Sequence, residues 1–303
     1  VKHRVGIVGL GFVGTAVETG LQAVAEVSSH DKFKPTDSLA TVVERSNIIF
    51  VCVPTPMNED GSCNTSIVES VVADIDKVAN GKSKAIVIKS TVPPGTTWKL
   101  QQKYQRHTFA FNPEFLTEKN FINDFLEQDR IIIGIKTSWY DETNDTLYCS
   151  GTKREHNRQI NKLYEDFAKL QKKPAEIVVT SPEAAEMLKY ATNCFLSTKV
   201  AFFNEIHQIC QKSDVKYDEL VELISLDKRI GQTHLKVPGP DGQFGFGGSC
   251  FPKDLNGLIA HAKSKNVDPL LLESVWAKNL VVRDECDWEK LPQVTGKYGR
   301  KKT

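Results

Sequence analysis

A chain of 303 residues is longer than one ordinary domain, and at roughly 100–200 residues per domain it predicts two. Its hydrophobic fraction of 40% is too high for a disordered chain, and 39 basic against 38 acidic side chains leave a net charge of +1, without the basic excess of a nucleic-acid surface. No apolar run approaches the ~18 residues of a membrane helix, so neither nucleic acid nor membrane is expected as a partner. The seven cysteines, an odd count with no C-x-x-C pair, form neither a zinc framework nor a disulfide scaffold, and no metal is expected. This usage points to a reducing, cytoplasmic compartment. Basic residues before the first apolar run imitate a secretory leader, but the glycines within it fit a nucleotide-binding turn better.

The first part of the chain alternates strand and helix patterns. Residues 4–8 are a short apolar run ending in glycines, 15–24 read as a helix, and 27–30 are strand-like and lead into Asp31. Residues 47–53 are continuously apolar, the pattern of a strand buried on both faces. Residues 67–78 have helical spacing, 85–89 give another buried strand, and 108–111 and 130–135 give two more. Such alternation implies an α/β fold, a doubly wound Rossmann-type parallel sheet, expected over residues 1–180. The pattern changes near residue 178. Ser181 can cap a helix, Pro182 suits its first turn, and Glu183 favours the positive end of its dipole. The periodic stretch runs to about residue 211, long enough to join two domains. Helical segments at 217–225, 255–264 and 268–282, interrupted by a glycine-rich loop at 238–248, predict an all-helical second domain over 181–285. Residues 286–303 read as a tail, basic and polar from 296 onward.

Gly9, Gly11 and Gly14 form G-x-G-x-x-G between a strand and a helix. The first permits a tight turn, the second lets backbone approach a pyrophosphate, and the third allows close helix–strand packing. The helix start offers unpaired N–H groups to phosphate. Asp31 stands near the ~20-residue spacing of a ribose-binding acid, which favours NAD over NADP. Lys32 and Lys34 are nearby, and a lysine there could accommodate a phosphate.

The most informative stretch is Gly245-Phe246-Gly247-Gly248-Ser249-Cys250-Phe251-Pro252-Lys253-Asp254. Its glycines make backbone that a ligand can approach, and Cys250 stands where the loop gives way to a helix, a position that stabilises a thiolate. Asp254 lies one turn on, on the same face if the run is helical. Upstream, Glu114 and Glu118 are four apart, on one face if helical, where two like charges would raise one pKa. The other reading is a solvated acidic face. Lys189 and Asn193 share that spacing and could stabilise an oxyanion, or could be a surface lysine paired with Glu186 beside an incidental asparagine.

The stretch around Cys250 resembles the UDP-glucose/GDP-mannose dehydrogenase family, which carries a near-identical G-F-G-G-S-C-F-x-K-D run around its catalytic cysteine. Further segments are similar to the same family: FVCVPTP at 50–56, KSTVPPG at 89–95, NPEFLTE at 112–118 and EMLKYATN at 186–193. The resemblance implies a cofactor set of Gly9, Gly11, Val13, Gly14, Asp31, Pro54, Thr55 and Thr91 around NAD. It implies Cys250 as nucleophile, Lys189 and Asn193 as oxyanion donors, Asp254 and Thr91 in the water and proton network, and Glu118 in thioester hydrolysis. Glu114, Arg229, Phe246, Gly247 and Lys253 would face the substrate. Arg229 would reach the partner subunit's site, so a homodimer or higher homo-oligomer is implied. The activity implied is four-electron oxidation of a nucleotide sugar, UDP-glucose first, to UDP-glucuronate. GDP-mannose and UDP-N-acetylmannosamine are alternatives, as is a catalytically silent dinucleotide-binding protein. Family members carry a further α/β domain after the central helices. Too few residues follow position 282 to hold one, so a short form lacking it, natural or truncated, is the expectation.

Overall fold

The structure, a computed structural model, describes residues 2–136, 139–141, 146–148 and 151–297. Cys149 and the tail beyond residue 297 lie outside the described residues. The chain divides into two compact units, Val1–Thr55 with Thr65–Lys189 and Pro56–Asn64 with Tyr190–Thr303. The division falls inside the long helix, nine residues beyond the boundary expected before residue 181, and the short segment Pro56–Asn64 goes with the second unit.

The first unit opens with β1 (His3–Val8), α1 (Phe12–Leu21), β2 (Ala25–His30), α2 (Leu39–Arg45) and β3 (Ile48–Val51). It continues through α3 (Ser66–Val78), β4 (Ala85–Ile88), α4 (Thr96–Lys103), β5 (Thr108–Phe111), α5 (Phe121–Leu126) and β6 (Arg130–Ile135). The short strands β7 (Trp139–Asp141) and β8 (Thr146–Tyr148) pair with each other as a separate antiparallel ribbon. Then come α6 (Gly151–Ala168), β9 (Glu176–Thr180) and the start of α7 (Pro182–Lys212).

Seven strands form one sheet in the order β2-β1-β3-β4-β5-β6-β9. The four apolar residues of β3 and of β4 are each fully buried because helices cover both faces. Ile48, Phe50, Ala85 and Val87 pack into one core, while Ile49, Val51, Ile86 and Ile88 pack into the other. Each such Ile, Val or Phe stabilises the fold by roughly 1.5–3 kcal/mol. The sheet departs from the expected all-parallel arrangement at one place, where β6 runs antiparallel to β5 and β9 follows β6. The connection, residues 112–129, carries the six-residue helix α5, which packs against α1, and returns the chain beside β5 in the opposite direction.

The second unit holds the rest of α7, then α8 (Tyr217–Ser225), α9 (Phe251–Ser264), α10 (Leu270–Val282), a 3-10 turn at Asp287–Lys290 and α11 (Pro292–Thr295). Helix α7 starts as the sequence predicts: the Ala184 N–H donates to the Ser181 hydroxyl at 3.2 Å, and Pro182 stands first. One core of this unit joins Cys194, Phe246, Leu255, Ile259 and Val275, and another joins Phe203, Tyr217, Leu235 and Val237. Among the described residues no helix is long and apolar enough to cross a membrane.

Candidate active site

Candidate site residues occur in both units, and each group is built by its own local structure. In the first unit β1 ends at Val8, and Gly9 takes a φ of +95°, a conformation that favours glycine. A Cβ on Gly14 would sit 1.8 Å from the Gly9 carbonyl oxygen, so this contact excludes any side chain. Gly11 faces open space at the start of α1, and that helix start has no side-chain cap. Val13 packs against the sheet core. Asp31 follows β2 and accepts the Leu10 N–H at 2.7 Å on one oxygen and the Phe33 N–H at 2.8 Å on the other. Each carboxylate oxygen can accept a second hydrogen bond, as ribose hydroxyls require. The Lys34 ammonium donates to the Leu10 carbonyl at 2.5 Å. Open glycine backbone, an uncapped helix start and a strand-end carboxylate fit a dinucleotide. Pro54 and buried Thr55 follow β3, and half-buried Thr91 follows β4, all at the carboxyl ends of the strands.

Those strand ends also hold buried charges. Lys189, on the first turns of α7, donates to a Glu114 carboxylate oxygen at 2.8 Å and to the Glu114 carbonyl at 2.7 Å. The other Glu114 oxygen accepts the Leu116 N–H at 2.8 Å. Burial raises the pKa of Glu114, but Lys189, the Leu116 N–H and Lys89 outweigh it, and the carboxyl is held below its usual range. Lys89, the residue after β4, donates to Asn112 Oδ1 at 2.7 Å. Burial lowers its pKa to about 8, against the pull of Cys52 and Glu114. The Cys52 thiol is pushed up to about 12 by burial.

Two sequence expectations change here. Residues 112–117 are not helical, so Glu114 and Glu118 do not share a helical face; Glu114 is buried and Glu118 exposed. Nor is Lys189 a surface partner of Glu186. Glu186 is itself buried and accepts the N–H groups of Gly95 at 2.6 Å and Thr97 at 2.8 Å, capping α4. Burial raises its pKa to about 7.

In the second unit Cys250 occupies the cap position of α9, with Pro252 in the first turn. Asp254, one turn on, donates its N–H to the Cys250 carbonyl at 2.9 Å. Its carboxylate accepts from the Lys253 ammonium and from the Asn193 amide, both at 2.5 Å, and all three residues are buried. Burial lowers the Lys253 pKa, but Asp254, Cys63 and Cys250 more than offset this and hold it above its usual value. Reciprocally, a negative Cys250 sulfur is favoured by Lys253 and by the N-terminus of α9.

The glycine-rich loop before Cys250 is pinned by side chains that the sequence reading missed. The Gly245 N–H donates to Asn204 at 3.0 Å, the Phe246 N–H to Asn279 at 2.7 Å, and the Gly248 N–H to Asp287 at 2.9 Å. Arg283 bridges Asp241 and Asp287 at 2.8 and 3.0 Å. A Cβ on Gly247 would meet Arg283 at 2.1 Å and Asp287 at 2.2 Å. The Phe246 ring packs in the core near Phe251 and Trp276, and its carbonyl accepts from Asn279. Arg229 is exposed and paired with Asp227 two residues before it.

Two models of one family match the chain in order. The NAD binding domain of the UDP-glucose/GDP-mannose dehydrogenase family matches residues 15–151, and the family's central domain matches residues 183–280. The UDP-glucose 6-dehydrogenase of Rickettsia bellii is 36% identical over 254 residues, 82% of this chain and 53% of that protein. UDP-glucose 6-dehydrogenase TuaD of Bacillus subtilis is 34% identical over 86% of this chain and 52% of its own length. The solved UDP-glucose dehydrogenase of Pyrobaculum islandicum superposes with a TM-score of 0.77 at 27% identity, covering 93% of this chain and 68% of that one. The chain thus spans about half the length of these curated relatives. With both domain models matched in order over most of its length, the chain belongs to the UDP-glucose/GDP-mannose dehydrogenase family.

Proposed function

We propose that this chain oxidises the C6 alcohol of UDP-glucose to the carboxylate of UDP-glucuronate, with Cys250 as covalent nucleophile. The observation that carries the reading is the place of Cys250, at the N-terminus of α9 with buried Lys253, Asp254 and Asn193 behind it. Bound NAD supplies the hydride acceptor, one molecule for each two-electron step. Gly9, Gly11, Val13, Gly14, Asp31, Pro54, Thr55 and Thr91 hold it. The Cys250 thiolate adds to the C6 aldehyde as a thiohemiacetal, and loss of the second hydride leaves a thioester that water hydrolyses. The covalent bond retains the aldehyde between the two oxidations. Lys189 and Asn193 stabilise negative oxygen. Asp254 and Thr91 order water and protons, and Glu118 assists hydrolysis. Glu114 pairs with Lys189 and holds its ammonium in place, while Gly247, Phe246 and Lys253 shape the sugar's surroundings. The names of the relatives favour UDP-glucose over GDP-mannose and UDP-N-acetylmannosamine, which the same chemistry would serve.

The same reading makes the protein a homodimer or higher homo-oligomer. Leu188, Phe195, Phe202 and Ile209 recur every seven residues on α7 and are all exposed, an apolar stripe suited to pairing with a second copy. Arg229 then serves the partner's site. Replacing Phe195 and Phe202 by serine should yield a monomer in light scattering.

Purified protein incubated with NAD and a panel of nucleotide sugars tests the activity. NADH formation and an acid product with UDP-glucose support the reading. Preference for another sugar moves the substrate. Cofactor binding without turnover on any sugar favours a catalytically silent dinucleotide-binding protein.

A further inference from the structure

Lys89 is a buried cation to which no step above gives a role. Its ammonium donates to Asn112 Oδ1 at 2.7 Å, and the Tyr164 hydroxyl donates to the same oxygen. The Asn112 amide in turn donates to the Ile132 carbonyl at 2.6 Å, which ties it to β6. Asn112 stands two residues before Glu114, in the non-helical segment after β5. Lys89, Glu114 and Lys189 lie close enough to influence one another's ionisation, so two ammonium groups and one carboxylate share this interior. Burying a charge with a neutral carboxamide as acceptor is costly, and a second cation beside Lys189 adds repulsion. An apolar residue at this strand end would avoid both costs, so the lysine calls for a function.

We propose that Lys89 is a positioning residue for the reaction: through Asn112 it fixes the segment that carries Glu114, and its positive charge keeps the Glu114 carboxylate ionised as the counter-ion of Lys189. Lys89 thereby acts on the reacting oxygen through Glu114 and Lys189. The inference rests on the reading of Lys189 as an oxyanion donor.

The test is a double-mutant cycle of Lys89→Met and Glu114→Gln in the full chain, read both as kcat and KM with NAD and UDP-glucose and as thermal unfolding midpoints. Lys89→Met should lower kcat by roughly tenfold to a hundredfold, the scale of a small misplacement at a reacting centre, with KM little changed. The double variant should be no slower than the slower single one, because both changes act through the same pair. Lys89→Arg, which keeps charge and donor, should recover part of the loss, and Lys89→Gln, which keeps a donor alone, should recover less. Losses that multiply in the double variant, or a lowered unfolding midpoint with unchanged kcat, would overturn the proposal. If the unmodified chain forms no NADH with any nucleotide sugar, the functional reading fails, and the unfolding midpoints decide the link by themselves. Non-additive shifts then support the coupling of Lys89 to Glu114, and additive shifts refute it.

Discussion

Strand β4 has a buried lysine at each end, and the two differ in company rather than in burial. Lys84, before the strand, donates to the Ser46 carbonyl at 2.6 Å, and its N–H donates to His107, whose ring also meets Asp76 at 3.0 Å. Lys89, after the strand, faces Asn112, Glu114 and Lys189. Burial lowers the pKa of both. A perturbed lysine therefore does not by itself mark a site. What separates the two is position: the carboxyl ends of the strands are where a doubly wound sheet holds its ligands, and there the lysine is joined by further charge. At the amino ends the same residue type closes a hydrogen-bond network that fastens loops.

Breaking the charged end should have the largest effect. Lys189→Met leaves Glu114 buried without its main counter-ion and should destabilise the first unit by about 3–5 kcal/mol, the usual cost of breaking a buried pair. It should also lower kcat by about a hundredfold if Lys189 donates to the reacting oxygen. Denaturant unfolding and initial rates read the two effects separately. Lys84→Met, the matching change at the other end, should cost roughly 1–3 kcal/mol for the unsatisfied Ser46 carbonyl and leave kcat unchanged. A large loss of rate in Lys84→Met would erase the distinction between the ends.

Acid and base sharpen the comparison further. Burial holds the His107 pKa below its ordinary value of 6.5. The unfolded chain therefore takes up this proton first, and the contribution of His107 to stability, full above pH 6.5, is lost as pH falls below it. Glu186 behaves oppositely. Its folded pKa of about 7 lies above the ordinary 4.5, so its contribution is full below about pH 4.5 and is lost as pH rises toward 7. Unfolding midpoints across pH 4–8 should show a shallower acid-side fall for His107→Gln and a higher neutral-pH plateau, relative to acid, for Glu186→Gln. Unchanged profiles would remove either group from the account.

Much of the first unit was legible because burial on both faces of a sheet writes itself as continuous apolar runs. Strands β3 to β6 stand where residues 47–53, 85–89, 108–111 and 130–135 placed them. The antiparallel turn at β6 was not legible, because a strand's own residues do not record its direction in the sheet. Helix α6 was overlooked although Ile160, Leu163, Tyr164 and Phe167 carry its periodicity. The Glu114–Glu118 spacing misled because four residues apart means one face only in a helix; Pro113 biases Asn112 away from helix and was the available warning. Cys250 and its neighbours could be read from one contiguous run. Its supports could not: Asn279 and Asp287 bind backbone 33 and 39 residues away, and Lys89 in sequence looks like any strand-end lysine.

The most direct test of the central claim is the stoichiometry of NADH per UDP-glucose consumed, measured with product mass for the unmodified chain and for Cys250→Ala. The account predicts two NADH and an acid product, with acid formation lost in Cys250→Ala. One NADH per sugar, or acid still formed by Cys250→Ala, would contradict a covalent four-electron oxidation at Cys250.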